Sequence, residues 1–154
     1  MDYHKIERYA NDRVKPEVEK MSVAVLEEME NKGGHTMMYH IGLSDEQLKE
    51  RMHDEKNIYL ASTFYNKEDA EKYITAILSD EMNQLDIAEW LLNNSNFSNL
   101  TIYLPEEFQE ITGKGYTRSG KLILLESAVV VLHKWISNAG DVCWRMHTAY
   151  PAAY

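Results

Sequence analysis

Two histidines and a downstream arginine stand close together near residue 40. The stretch from Gly33 to Gly42 holds His35, His40 and three glycines, and Arg51 follows on the next predicted helix. A histidine can take up or release a proton near neutral pH, and an arginine can neutralise a phosphate through its fork of N–H donors. This combination predicts acid–base chemistry at a phosphate group.

In-line cleavage of RNA needs such a set of groups. A base removes the proton of the 2′-hydroxyl, a cation stabilises the crowded phosphorane, and an acid protonates the leaving 5′-oxygen. The RNA supplies its own nucleophile, so we expect neither a metal ion nor a cofactor. A zinc site on His35 and His40 stays an alternative, although their spacing of five differs from the usual helical spacing of four for ligand pairs.

The end of the chain offers hydroxyl groups that can complete the site. Thr148 and Tyr150 alternate on a predicted strand, so their side chains face the same way. They can donate hydrogen bonds to a phosphate, or one of them can serve as the acid. His147 and Ala149 are expected to face the opposite side of that strand.

The charge distribution limits which molecules the protein can be expected to bind. A net charge of −9 argues against a general nucleic-acid binder. Residues 111–154 nevertheless carry a net charge of +3, which leaves −12 on the first 110 residues. An acidic body with a basic C-terminal part can hold a phosphate locally. The basic residues of this part are Lys114, Arg118, Lys121, Lys134 and Arg145.

The residue pattern predicts an α+β fold. Helical spacing recurs through residues 3–31, with an interruption at Pro16, and helices are predicted at Asp45–His53 and from Asn66 to Leu92. Strands are predicted at Ile58–Phe64, Leu100–Leu104, Phe108–Ile111, Lys121–Leu125, Ser127–Trp135 and Val142–Tyr150, with turns at 112–115 and 118–120. Helices come first and strands last, which indicates a mainly antiparallel sheet rather than a parallel one.

The chain is expected to divide into an N-terminal helical extension, residues 1–32, and one compact unit, residues 33–154. Cys143 is the only cysteine, so an internal disulfide is impossible. No apolar run is long enough for a membrane span, and the first residues lack the apolar core of a signal peptide.

Several short blocks stand in a characteristic order along residues 33–152. They are Gly33–Thr36, His40–Gly42, Asp45–Leu48 with Arg51, Ala61–Phe64, Asp69–Glu71, Val129–Lys134 and Thr148–Pro151. Together they resemble a known family, the RNase A-like C-terminal toxin domain of bacterial contact-dependent growth inhibition proteins.

The resemblance implies a kidney-shaped RNase A-like fold without disulfides and a metal-independent ribonuclease activity. It implies catalytic roles for His40, Arg51, Thr148 and Tyr150, and supporting roles for two further residues, His35 and Thr63. It also implies an RNA substrate, with tRNA as one candidate, and a cognate immunity protein. Such a domain is secreted as part of a larger toxin and acts in the cytoplasm of a target bacterium.

Two other functions are consistent with the residues. A non-catalytic acidic interaction protein, for example an immunity-type protein, fits the net charge of −9. An enzyme acting on another phosphate-bearing substrate, such as a nucleotide cofactor, fits the histidine and arginine equally well.

Overall fold

The computed structural model describes residues 2–21, 40–93 and 98–153. The helices are α1 (Tyr3–Tyr9), α2 (Asp45–Asp54), α3 (Lys67–Ser79) and α4 (Glu81–Leu92). The strands are β1 (Leu60–Phe64), β2 (Ser98–Tyr103), β3 (Gly113–Thr117), β4 (Leu122–Leu125), β5 (Ser127–Ile136) and β6 (Val142–Ala152). The predicted α+β class is confirmed. Within the ranges above, no helix has both the length and the apolar character that crossing a membrane requires.

The first helical segment passes Pro16 without a break. After α1 the chain makes a π-helical turn, Ala10–Val14, and residues 15–21 remain helical. The amide of Lys15 donates to the carbonyl of Ala10, five residues back. This wider turn leaves room for the proline ring, which would otherwise clash with the preceding turn of an α-helix. The predicted interruption of the helix at Pro16 is therefore wrong.

The main core lies between helices and the sheet formed by β2, β5 and β6. Ile6, Val14 and Val18 of the N-terminal segment are buried in it. They share this core with side chains of α3, α4 and the sheet, including Ile74, Ile77, Ile87, Ile102, Val130 and Leu132. The predicted division of the chain after residue 32 stays a prediction, and residues 2–21 pack directly on the body of the protein.

The strands form two antiparallel sheets instead of one. One sheet has the order β1-β3-β4, and the other has the order β2-β5-β6. Helix α2, predicted at Asp45–His53, begins at a capping box in which Ser44 and Gln47 bond each other's backbone amides. Leu48 and Met52 then pack α2 against Ala61 of β1. This contact fixes α2, and with it Arg51, on the first sheet.

Gly113 lies where the two sheets approach each other. Its backbone pairs with Phe64 of β1, and an added Cβ would overlap the carbonyl oxygen of Thr63 and lie 2.7 Å from Cγ of Pro151. Gly115 is similarly confined by Leu60. The prediction of a turn at residues 112–115 is wrong because these glycines serve close packing within a strand, not a change of direction. The segment from residue 108 to 111, predicted as a strand, is irregular.

Strand β6 contains an irregularity that reorients its side chains. The pairing with β5 shifts between Val131 and Leu132, so that Thr148 pairs with Val131 while Met146 pairs with Leu132. His147 is the extra residue of this bulge and is exposed, whereas Ala149 is fully buried. The expectation that these two side chains share a face is therefore wrong. The strand also continues through Pro151, which an edge strand tolerates.

Three of the basic C-terminal residues serve the fold. The guanidinium of Arg118 donates to the carbonyls of Met52, Glu55 and Ile58 at 2.6–2.7 Å, at the end of α2. The buried amine of Lys134 donates to the carbonyl of Trp90 at 2.7 Å, at the end of α4. Lys114 forms an ion pair with Asp45 at 2.7 Å. Cations at helix C-termini satisfy exposed carbonyls and the helix dipole, so this part of the basic charge is used internally.

Gly113→Ala should lower the free energy of unfolding by about 1–3 kcal/mol, because the added methyl group overlaps backbone and proline atoms that pack tightly. Urea denaturation followed by circular dichroism measures the change. Gly140→Ala is the control, since Gly140 has φ +85 but no atom within 4 Å of a Cβ. It should cost about 1 kcal/mol from backbone strain alone. A smaller loss for Gly113→Ala than for Gly140→Ala would contradict the close approach.

Arg118→Ala should lower the free energy of unfolding by about 1–2 kcal/mol, because three carbonyls at the end of α2 lose a charged donor. Arg118 is partly solvated, so water replaces some of these bonds. Lys121→Ala is the matched control, since it removes one positive charge from the same turn region. Equal stability of the two variants in thermal denaturation would show that Arg118 is not a structural cap.

Candidate functional site

His40 is held in place by the residues that follow it. Ile41 forms an isolated parallel bridge with Phe64, and the amide of Gly42 donates to the carbonyl of Phe64 at 2.8 Å. Gly42 has φ +68, which a residue without a side chain adopts at no steric cost. The chain therefore turns immediately after His40 and attaches to the end of β1. The side chain of His40 is buried, with 7% of its surface exposed.

Thr63 supports this attachment from within β1. Its hydroxyl accepts a hydrogen bond from the amide of Leu43 at 3.0 Å and donates one to the carbonyl of Phe64 at 2.8 Å. Thr63 is fully buried, so water cannot replace these bonds. This geometry is that of a residue that positions the His40 segment. His35, the other residue predicted to support the site, lies outside the described residues.

Arg51 reaches His40 from α2. Its Nη1 lies 3.4 Å from Nδ1 of the imidazole, and its Nε lies 2.6 Å from a carboxylate oxygen of Glu55. The side chain of Arg51 is 17% exposed, so the charge sits in a partly desolvated position. Glu55 holds one edge of the guanidinium and thereby orients its other N–H groups. An arginine held in this way can present two parallel donors to a phosphate.

Tyr150 meets His40 from the opposite end of the chain. The two ring centroids are 5.4 Å apart, with an angle of 40° between the planes. Burial raises the pKa of the Tyr150 phenol, and the neighbouring phenol of Tyr103 raises it further. A raised pKa favours the protonated phenol, so Tyr150 is a hydrogen-bond donor throughout the neutral range.

Thr148 lies two residues before Tyr150 on the same side of β6. Its hydroxyl oxygen is buried, and it has no hydrogen-bond partner among the residues that the structure describes. Buried hydroxyls are normally bonded, so an unsatisfied one next to a candidate site is suited to meet a ligand. Ser127, at the start of β5, has the other such hydroxyl in this part of the chain.

The structure thus brings three of the four predicted catalytic residues into contact. His40 comes from the segment just before α2, Arg51 from α2 and Tyr150 from the last strand, and Thr148 lies two residues before Tyr150 on that strand. The set combines an imidazole, a guanidinium and two hydroxyl donors, which are the groups that phosphate chemistry requires. Over the described ranges, no three His, Cys, Asp or Glu side chains are grouped as ligands of a metal ion.

Sequence reasoning missed two residues beside this set. Glu55 pairs with Arg51 at a spacing of four along α2, which is a recognisable helical ion-pair signal. Tyr103 lies across β5 from Tyr150, because both residues pair with Val129. No local signal in the sequence identifies Tyr103, since its position depends on the registers of three strands.

Comparisons with known proteins identify the fold and the family of the chain. The chain is similar in fold to a chain of the crystal structure of a CdiA-CT/CdiI complex from Y. kristensenii, with a TM-score of 0.57 and 21% identity. The similarity covers 73% of this chain and 94% of the other. No curated protein sequence matches significantly. The family described as bacterial CdiA-CT RNAse A domain matches residues 34–151.

This match spans His40, helix α2 and nearly all of β6, and it covers well over half of the chain. The resemblance noted in the short sequence blocks is therefore confirmed over the whole region that forms the site. The chain belongs to the bacterial CdiA-CT RNAse A domain family.

Proposed function

We propose that the protein is a ribonuclease toxin that cleaves RNA by transphosphorylation without a metal ion. The observation that carries this proposal is the contact of His40 with both Arg51 and Tyr150. These residues are far apart in the chain, and a fold does not need an imidazole, a guanidinium and a phenol at one point for its stability. Membership of the bacterial CdiA-CT RNAse A domain family also supports a ribonuclease function.

His40 is the general base that removes the proton of the 2′-hydroxyl. As that proton moves to the imidazole, the 2′-oxygen attacks the phosphorus and forms a pentacoordinate phosphorane. Arg51 stabilises the growing negative charge on the phosphate oxygens, and Thr148 donates a hydrogen bond to the same group. The bond from phosphorus to the 5′-oxygen then breaks, Tyr150 protonates that oxygen, and a 2′,3′-cyclic phosphate is left.

Electrostatics at the site suit this reaction. Arg51 and Tyr150 are both partly buried, so their interaction with a phosphate is weakly screened. Glu55 keeps the guanidinium oriented before the substrate arrives, which avoids the cost of ordering a flexible side chain. The net charge of −9 then limits general affinity for RNA and leaves recognition to this local site.

As a member of this family, the chain corresponds to the C-terminal toxin part of a larger CdiA protein. We infer that it acts in the cytoplasm of a target bacterium, on RNA such as tRNA, and that a cognate immunity protein blocks it. The family match favours this function over that of an acidic immunity-type protein. Expression without the partner should arrest growth of the host if the domain is a toxin.

His40→Ala should reduce RNA cleavage by about 10²–10⁴-fold, since the proton-transfer group is lost. Cleavage of total RNA in the presence of EDTA measures the effect. His40→Gln should be equally inactive while keeping a polar side chain of similar size, which separates chemistry from folding. His53→Ala is the matched control, because His53 is exposed on α2 and should be dispensable.

Three results would count against the proposed chemistry. One is cleavage by His40→Gln at the wild-type rate, and another is loss of wild-type activity on adding EDTA. The third is cleavage of a substrate with a 2′-deoxyribose at the scissile position, because that substrate lacks the nucleophile. Faster turnover of a nucleotide cofactor than of RNA would favour the alternative phosphate-bearing substrate.

Tyr150→Phe should lower kcat by about 10²-fold and leave the shape of the pH–rate profile unchanged between about pH 5 and 9. The reason is that burial raises the pKa of Tyr150 above its ordinary value of about 10, so the phenol stays protonated over this whole range. Tyr59→Phe, at a residue that is 88% exposed, is the control. An alkaline decline below about pH 9 that disappears in Tyr150→Phe would mean that the phenol loses its proton within this range, which contradicts a raised pKa of Tyr150.

A further inference from the structure

An array of one histidine, one tryptophan and one arginine lies on the sheet β2-β5-β6. We call His133, Trp135 and Arg145 the stacking platform. The rings of His133 and Trp135 are nearly parallel, with centroids 6.0 Å apart and an angle of 17°. The guanidinium carbon of Arg145 lies 5.7 Å from the centre of the Trp135 ring. Nδ1 of His133 is 2.8 Å from the side-chain oxygen of Asn99, which orients the imidazole.

The stacking platform continues the surface that carries the candidate site. Along β5, the side chains of Val130 and Leu132 enter the core, so those of Val129, Val131 and His133 face the other way. Tyr150, Thr148 and Arg145 pair with these three residues in that order. Two residues along a strand span about 7 Å, so His133 begins about 7 Å beyond the row of Thr148. A strand of RNA at the site can reach it with a neighbouring nucleotide.

The local charge permits an anionic chain to lie here. Strands β2, β5 and β6 contain no aspartate or glutamate, although the protein has 25 acidic residues. Arg145 is exposed and forms no ion pair with a carboxylate of the described residues. Its charge is therefore available for a phosphate, in contrast to those of Lys114 and Arg118, which serve the fold. The rings of His133 and Trp135 are half-exposed.

We propose that the stacking platform binds a base of single-stranded RNA one nucleotide beyond the two that flank the cleaved phosphate, with Arg145 contacting the phosphate of that nucleotide. Aromatic side chains with an adjacent cation bind bases in this way, because every base presents a π-face. The proposal rests on the proposed ribonuclease function and deepens it. Binding of a base to the stacking platform makes the enzyme prefer unpaired stretches of RNA over duplexes, since paired bases are not free to stack on the protein.

Two substrates separate the stacking platform from the catalytic site. One is a dinucleotide, which carries only the two nucleosides that flank the cleaved phosphate, and the other is a longer single-stranded oligonucleotide, which also reaches the stacking platform. Trp135→Leu and Arg145→Gln should each raise KM for the longer substrate by at least about fivefold. Both variants should leave cleavage of the dinucleotide unchanged. Trp135→Phe keeps an aromatic face and should retain most of the affinity, and Tyr59→Leu is the control for loss of an exposed aromatic residue.

Direct binding distinguishes failure of this proposal from failure of the ribonuclease proposal. A 2′-O-methyl oligonucleotide lacks the nucleophile, so its affinity can be measured by fluorescence anisotropy whether or not the protein cleaves RNA. Weaker binding to Trp135→Leu by at least about fivefold supports the stacking platform even if no cleavage is found. Unchanged binding overturns it, and so does an equal loss of activity on the dinucleotide and the longer substrate, which would indicate a structural role for Trp135.

Discussion

The close approach of the two sheets at Gly113 is the constraint on which the site depends. Strand β1 pairs with β3 at this residue, and Pro151 of β6 packs against it from the other sheet. The end of β1 anchors the segment of His40, and β6 carries Tyr150 directly before that proline. A glycine without any functional group therefore decides how near the imidazole and the phenol can come. A side chain there would separate the two sheets and, with them, the two halves of the site.

The positions of the charged residues matter more for the candidate site than the net charge of the protein does. The six strands contain no acidic residue, and the acidic residues within the described ranges lie outside them, mostly on helices. Several basic residues are used at helix ends, where they satisfy carbonyl groups. Arg51 differs because Glu55 holds it in a partly buried position beside an imidazole. An anion then meets a favourable potential at the site although the whole molecule is strongly negative, since salt screens the distant carboxylates.

Much of this could be predicted from local patterns. The capping box before α2, the apolar run of β5 and the spacing of Thr148 and Tyr150 each depend on near neighbours in sequence, and each appears in the structure as expected. The failures share a different cause. Gly113 resembles a turn residue until its neighbours from β1 and β6 are known. The side chain of His147 is exposed, instead of sharing a face with Ala149, because the pairing of β5 with β6 shifts by one residue at this point. Contacts between distant segments decide such features, so a local pattern cannot contain them.

The same packing supports the proposed role of Tyr150 as the proton donor. A phenol next to an imidazole differs from a second imidazole, because only the imidazole has an ordinary pKa near neutral pH. Burial beside His40 and Tyr103 moves the pKa of Tyr150 still further from that range. The site therefore combines the two hydrogen-bond donors Arg51 and Tyr150 with one group, His40, of a type whose ordinary pKa lies near neutral pH. This division is consistent with the proposed reaction, in which the imidazole is the base and the phenol is the acid.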